Sequence, residues 1–324
     1  MQDEVGRWFE RRTSWAKDWS AARLVDVKGS TTVSVVLPAL NEEATVGAIV
    51  ATIRRRLVER HGLVDELVVM DSGSTDRTIE VAAAAGARVV LREQVLPRFA
   101  PLPGKGEVLW RSLAATSGDL LVFVDSDLTD FTADFVTGLL GPLLFDPTVQ
   151  LVKATYDRPL AHGETVVPAG GGRVTEVVAR PLLNMHWPKL AGFIQPLSGE
   201  YAARRSLLEQ LPFPTGYGVE VGILVDALRL VGLDALAQVD LYRRKHRNQE
   251  IGKLGRMASE ILQVALLRLE REGRIKLDAP PSTDLVQYER SEDGYLAHRT
   301  RIEPMERPPM ATLAEYVQAR QPAL

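Results

Sequence analysis

The residues best placed to do chemistry are Asp125, Ser126 and Asp127. They follow an apolar run over 120–124, the composition of a strand buried on both faces of a parallel sheet. Two carboxylates at the carboxyl end of such a strand are costly unless something positive meets them. Open α/β sheets bind their ligands at that edge. Hard divalent ions such as Mg²⁺ take carboxylate oxygens and share them with phosphates. The triplet therefore reads as the place where a metal ion meets a diphosphate. The plainer reading is a polar turn in which Asp127 caps a helix.

Other strand ends carry polar residues of the same kind. A strand over 33–37 is expected to end at Pro38, which has no donor for a ladder. Asn41, Glu42 and Glu43 follow, then a helical run to about residue 60. This loop has neither Gly-x-Gly-x-x-Gly nor a Walker A motif, which disfavours a dinucleotide or P-loop site. Glu42 reads either as an acceptor for a base or ribose group or, with Asn41, as a helix cap. A strand over 66–70 ends in Asp71-Ser72-Gly73-Ser74-Thr75-Asp76. Ser74 or Thr75 is expected to cap a helix over 76–85, and Asp71 is placed for a base or ribose contact. After a short strand at 88–91 comes a loop over 92–106 with Lys105 between two glycines, just before a helix over 107–116. Helix starts attract phosphate, and a lysine adds a point charge; the alternative is a solvated lysine in a turn.

Beyond residue 130 the pattern predicts a helix over 131–144 and a strand over 149–153. A glycine-rich loop over 168–176 then leads to a helix over 175–185; with Gly172, Arg173 and Thr175 it reads either as a seat for a phosphate or carboxylate or as a disordered surface loop. Residues 197–200 are irregular and polar, like a pocket rim, where Glu200 orients a sugar hydroxyl or is an ordinary carboxylate. Glu220 lies in the first turn of an apolar helix reaching about residue 230. A strand over 235–241 leads to the basic run at 242–248, in which His246 is a candidate imidazole ligand for a divalent ion. A long amphipathic helix over 251–273 follows, and the proline-bearing remainder is expected to wrap the surface or a partner. At the other end, residues 3–22 read as a helix with an apolar side made by Trp8, Phe9, Trp15 and Trp19.

The 324 residues suffice for one large or two modest domains. Apolar content of 45% and charged content of 25% are ordinary for a soluble globular protein. A formal charge of −3 gives no electrostatic case for nucleic acid. No apolar stretch approaches the roughly 18 residues of a membrane span, so no membrane partner is expected. The N-terminus is polar, unlike a signal peptide. There is no cysteine, which removes disulfides, thiolate nucleophiles and cysteine metal sites and fits a cytoplasmic setting.

Taken as an ordered set, Pro38-Ala39-Leu40-Asn41-Glu42-Glu43, Asp71-Ser72-Gly73-Ser74-Thr75-Asp76 and Asp125-Ser126-Asp127 resemble the GT-A nucleotide-sugar glycosyltransferases. Gly172-Arg173-Val174-Thr175-Glu176, Pro196-Leu197-Ser198-Gly199-Glu200 and His246-Arg247-Asn248 resemble, within them, the glucosyl- and bacterial mannosyl-3-phosphoglycerate synthases. The likeness covers roughly residues 15–290. It implies an α/β GT-A fold with a mixed central sheet. A lead-in over 1–30 would precede a Rossmann-like nucleotide-sugar-binding half over 31–130 and an acceptor-binding half over 131–250. A C-terminal helix and tail over 251–324 would make dimer contacts.

The activity implied is retaining transfer of glucose or mannose, from UDP-glucose or GDP-mannose, to the 2-hydroxyl of 3-phosphoglycerate in a homodimer. The cofactor implied is Mg²⁺, with Mn²⁺ or Co²⁺ as substitutes. By resemblance, Pro38, Ala39, Leu40, Glu42, Ser72 and Lys105 hold the nucleoside and diphosphate, with Asn41, Asp71 and Ser126 beside them. Asp125 and Asp127 hold the nucleotide and metal region, with Asp127 and His246 as direct ligands. Gly172, Arg173, Thr175 and Asn248 hold 3-phosphoglycerate, and Leu197 and Glu220 surround the sugar. Attack from the face of departure is expected, the Leu197 carbonyl steadying the sugar carbon. Two other classes stay open at this point. A nucleotidyltransferase should carry a glycine-rich, basic first loop, and a sugar-nucleotide-binding protein would show no turnover.

Overall fold

The computed structural model describes residues 2–157, 160–162, 165–167, 172–243, 251–292, 294–303 and 305–320. Its frame is one eight-stranded sheet. The strands are β1 (Thr13–Trp15), β2 (Val33–Ala39), β3 (Glu66–Asp71), β4 (Arg88–Leu91), β5 (Leu120–Phe123), β6 (Leu151–Asp157), β7 (Tyr201–Arg204) and β8 (Leu236–Arg243). They lie in the order β1-β8-β6-β7-β5-β2-β3-β4. Neighbours are parallel except β7, which runs antiparallel to both β5 and β6.

Side chains alternate between two cores, as a period of two requires. Val36, Val68, Leu121 and Phe123 enter one core, and Val35, Leu37, Val69 and Val122 enter the other. The helices are α1 (Gln2–Arg12), α2 (Ala21–Lys28), α3 (Val46–Ile53), α4 (Thr78–Ala85), α5 (Lys105–Ala115), α6 (Asp134–Phe145), α7 (Arg180–His186), α8 (Val219–Val231), α9 (Ile251–Arg271) and α10 (Ala314–Arg320). The first core is covered by α5, α8 and α9, the second by α3 and α6. With both faces covered, the strands read as apolar runs rather than alternating ones.

Several expectations are corrected. The helix expected over 3–22 is broken: α1 ends at Arg12, and Thr13–Trp15 pairs with β8 as the sheet edge. Ser20 then caps α2, its hydroxyl accepting from the Arg23 amide. Pro38 does not end β2, because Pro38 and Ala39 still pair with β3. The ladder to β5 has already stopped at Val36–Phe123, and the Pro38 carbonyl accepts from the Ser126 hydroxyl at 2.8 Å. Ser74 and Thr75 do not cap α4, whose N-cap position is Arg77 with no side-chain cap; Asp76 Oδ1, one residue earlier, accepts from the Thr78 amide at 2.9 Å. The helix expected over 131–144 begins three residues later, at Asp134, and carries Pro142 inside on its way to Phe145. Two further strands, β9 (Asp284–Ser291) and β10 (Gly294–Arg301), form a hairpin where only surface wrapping was expected. Most of their side chains are exposed, so no apolar period marked them. Among the described residues, no helix is long and apolar enough to cross a membrane.

A buried carboxylate ties α5 to the loop before it and to the C-terminal segment. Glu107 is fully buried and accepts from Arg111 Nε at 2.7 Å and from Arg307 Nε at 2.6 Å. Arg111 also donates to the Phe99 carbonyl at 2.7 Å, and Arg307 to the Ala100 carbonyl at 2.5 Å. Removing one partner of a buried ion pair is far costlier than never having built it. Glu107→Ala therefore destabilises the protein by about 3–5 kcal/mol, read from urea denaturation. A loss below about 1 kcal/mol, the scale of a surface pair, would show that the arginines find other partners.

Candidate active site

A cavity of about 950 Å³ opens at the carboxyl ends of β2 and β5. Pro38, Ala39, Leu40 and Glu42 line it from the loop after β2, and Ser72 from the loop after β3. Asp125, Ser126 and Asp127 line it from the end of β5, Lys105 from the start of α5, and Glu220 from the first turn of α8. Leu197 and Gly199 reach it from the turn before β7, and Gly172, Arg173 and Thr175 from the segment before α7. Met257 and Glu260 of α9 and Met305 complete the lining named here.

The centre of this wall is an ion-paired cluster. Helix α5 starts at Lys105 itself, two residues earlier than expected, with Gly104 before it at φ 108°. A side chain at Gly104 would meet the Thr215 carbonyl, so the helix start sits directly against that loop. Lys105 Nζ lies 2.5 Å from Asp125 Oδ1 and 3.3 Å from Glu220 Oε1. Burial alone would lower its pKa, but the Asp125 and Glu220 carboxylates outweigh that and hold it above the ordinary lysine value. Gly199 closes over this pair. A Cβ there would press on Asp125 Oδ2 and Lys105 Nζ, so a side chain at 199 would push the ion pair aside.

Beneath the wall lies a second polar layer that sequence reasoning missed. Lys153, 2% exposed in the middle of β6, donates to the Ser198 carbonyl at 2.5 Å and stands 4.9 Å over the Tyr201 ring. Burial pushes its pKa down to about 8 against the pull of Glu220. Tyr156 donates to Glu200 Oε2 at 2.6 Å, and the Ser198 hydroxyl donates to the Glu200 carbonyl at 3.0 Å. Burial raises the Tyr201 phenol above its usual pKa. Glu200 is fully buried in this layer and does not line the cavity. The available signal was a lone lysine inside a strand-like run that continues apolar to Tyr156.

Asn41 and Asp71 also stand behind the lining rather than in it. Asp71 Oδ1 accepts from the Gly73 and Ser74 amides at 2.8 and 2.9 Å. Asn41, at φ 59°, accepts from the Thr75 amide at 2.8 Å, and its own amide donates to the Ser74 hydroxyl at 2.9 Å. Both side chains thus build the loops that present Leu40 and Ser72. Ser126 does line the cavity, and its carbonyl accepts from the Thr45 hydroxyl at 2.5 Å.

Of the residues expected at the acceptor, Gly172 takes φ 78°, Thr175 is buried and Arg173 is half-buried at the cavity. His246 and Asn248 lie outside the described residues. Among the described residues no group of three or more His, Asp or Glu gathers to hold an ion unaided. Half-buried Asp127 on the cavity wall nonetheless fits Mg²⁺, which usually takes one or two carboxylates and leaves its other positions to phosphate and water.

The profile described as glycosyl transferase family 2 matches residues 34–179. Glucosyl-3-phosphoglycerate synthase of Mycolicibacterium smegmatis is 49% identical over 307 residues, covering 95% of this chain and 98% of that protein. A crystal structure of glucosyl-3-phosphoglycerate synthase from Mycobacterium tuberculosis, in complex with Mn²⁺, UDP and phosphoglyceric acid, matches with a TM-score of 0.81 at 48% identity. That match covers 92% of this chain and 97% of the mycobacterial one. Mannosyl-3-phosphoglycerate synthase from Rubrobacter xylanophilus matches with a TM-score of 0.87 at 39% identity, covering 95% of this chain and 97% of its own. The mixed sheet with its one reversed strand is thus the expected GT-A fold. At nearly half identity over almost its whole length, this chain belongs to the glucosyl-3-phosphoglycerate synthase family of metal-dependent, nucleotide-sugar glycosyltransferases.

Proposed function

We propose that this chain transfers glucose from UDP-glucose to the 2-hydroxyl of 3-phosphoglycerate with retention at the anomeric carbon. The observation that carries the reading is the shared cavity, which joins the loops after β2, β3 and β5 to the segment bearing Gly172, Arg173 and Thr175. The ligands of the mycobacterial relative, UDP, Mn²⁺ and phosphoglyceric acid, are chemically what such a wall would take. A homodimer and a cytoplasmic setting go with the same reading.

Asp127, with His246 by the family resemblance, would hold a divalent ion, which when bound would neutralise charge on the departing diphosphate. Lys105 adds a preorganised ammonium, held in place by Asp125 and Glu220 before substrate arrives. Arg173 grips the acceptor phosphate through its planar fork and aims the 2-hydroxyl at the sugar. Glu220 orients sugar hydroxyls, and the Leu197 carbonyl faces the positive sugar carbon. The departing phosphate takes the acceptor proton on the same face. A covalent route would need a carboxylate beside the anomeric carbon. Of the two candidate carboxylates, Glu200 is buried away from the cavity and Glu220, which lines it, is ion-paired with Lys105, so same-face attack is the reading we adopt.

A mannosyl-3-phosphoglycerate synthase shares the fold at 39% identity, against 48% for the glucosyl enzyme, so GDP-mannose is the second donor to test. A panel of UDP-glucose and GDP-mannose against 3-phosphoglycerate and free glycerate, with and without Mg²⁺, decides donor and acceptor. Turnover is expected with UDP-glucose and 3-phosphoglycerate and is abolished by EDTA. Release of pyrophosphate instead of UDP would point to nucleotidyl transfer.

Asp127→Ala is expected to lower kcat on the order of a hundredfold or more with an unchanged thermal midpoint. Full turnover of that variant in saturating Mg²⁺ would remove Asp127 from the reaction. Arg173→Ala is expected to raise the KM for 3-phosphoglycerate roughly tenfold or more and leave that for UDP-glucose within about threefold. Equal rises in both would deny Arg173 its acceptor role.

A further inference from the structure

We infer that Lys153 is a positioning residue for glycosyl transfer: its buried ammonium fixes the peptide between Ser198 and Gly199, and so sets the wall that Leu197 and Gly199 present to the donor sugar. This rests on the function proposed above.

A central strand flanked by two covered faces calls for apolar side chains. Lys153 breaks that rule at 2% exposure, in register with Tyr201 of β7. A charge in such a place is expensive unless it is paired and hydrogen-bonded. Its bond goes to the Ser198 carbonyl, which belongs to the turn before β7 and not to the ladder. The same turn is fastened by the Ser198 amide donating to Gln195 and the Ser198 hydroxyl donating to the Glu200 carbonyl, both at 3.0 Å. On its far side the side-chain ends of Asp125 and Lys105 lie against Gly199. The Ser198–Gly199 peptide is therefore held at its carbonyl by Lys153, with the Lys105–Asp125 pair packed on the side of its glycine. Leu197, one residue earlier, lines the cavity, so its carbonyl direction follows from this clamp.

The ammonium also acts through space. Lys153 feels the carboxylates of Glu220, Glu200 and Asp125. A nucleotide bound without its sugar does not need the turn, whereas the transfer step does. The role should therefore appear in kcat and not in nucleotide affinity.

The test compares wild type, Lys153→Met and Lys153→Gln with UDP-glucose, 3-phosphoglycerate and Mg²⁺, alongside UDP binding by calorimetry. Lys153→Met keeps the length of the side chain without its charge or donors, and Lys153→Gln keeps a donor for the Ser198 carbonyl. In Lys153→Met, kcat should fall about tenfold or more, with UDP affinity and both KM values within about threefold. Lys153→Gln should recover part of the loss. A smaller fall in kcat, no recovery in Lys153→Gln, or a fall in UDP affinity matching that in kcat overturns the inference. Failure of both variants to fold overturns it too, since Lys153 would then serve the sheet and not the turn. If wild type does not transfer glucose at all, the proposed function fails instead, whatever the variants do.

Discussion

The pairing of Lys105 with Asp125 and Glu220 is the constraint around which the rest is built. It joins three elements distant in sequence: the first residue of α5, the carboxyl end of β5 and the first turn of α8. Carboxylates at a buried strand end are unfavourable without a counter-charge. Without Lys105, the Asp125 side chain would face a polar wall that already holds Glu220 and Glu200 beneath it. The lysine is not a surface adornment, since its side chain is only 21% exposed. Holding the cation before the substrate arrives removes reorganisation from the moment when charge develops.

Strand direction explains why so many distant residues meet there. Parallel strands place all their carboxyl ends, and hence their functional loops, on one edge of the sheet. The acid-bearing ends of β2, β3 and β5 share that edge. A further parallel strand would bring its own carboxyl end, followed by a crossover. The reversed β7 instead delivers the residues that precede it, so Leu197–Ser198–Gly199 arrives at the edge as Phe123 pairs with Tyr201. One reversed strand thus lets Gly199 lie against Asp125. The same reversal sets Tyr201 opposite Lys153, which puts the buried ammonium under the turn.

Much of this was legible in the sequence, because apolar runs that stop at Asp, Asn or Ser mark both the strands and their edge. Residues 33–37, 66–70, 88–91 and 120–124 were read as strands, and their polar ends as site candidates. What escaped has physical causes. Tyr201–Arg204 is too short and too mixed to show a period, so its reversal was invisible. Pro38 was read as a stop, but a proline is tolerated where its missing donor faces a ladder that has already ended. The sequence pattern ends the strand at Lys153, because a lysine in a core strand contradicts ordinary burial preferences. Only its partner, a backbone carbonyl far along the chain, reconciles it with that place. Ser74 and Thr75 do not cap the helix because their hydroxyls are engaged with Asn41 in the loop after β2.

That engagement gives Asn41 and Asp71 a meaning that direct ligand contact would not. Asp71 accepts from two successive amides and so bends the chain at Gly73, whose φ of 99° suits glycine. The bend brings Ser74 to the Asn41 amide and Thr75 to the Asn41 side chain. Glu42 is fastened in turn, its amide donating to the Thr78 hydroxyl at 2.7 Å. The loops after β2 and β3 are therefore cross-linked before any ligand enters. Leu40 and Ser72 reach the cavity from a wall already ordered, so little loop entropy remains to be lost on binding. Residues that never line the cavity can thus govern what it holds, by fixing where the lining stands.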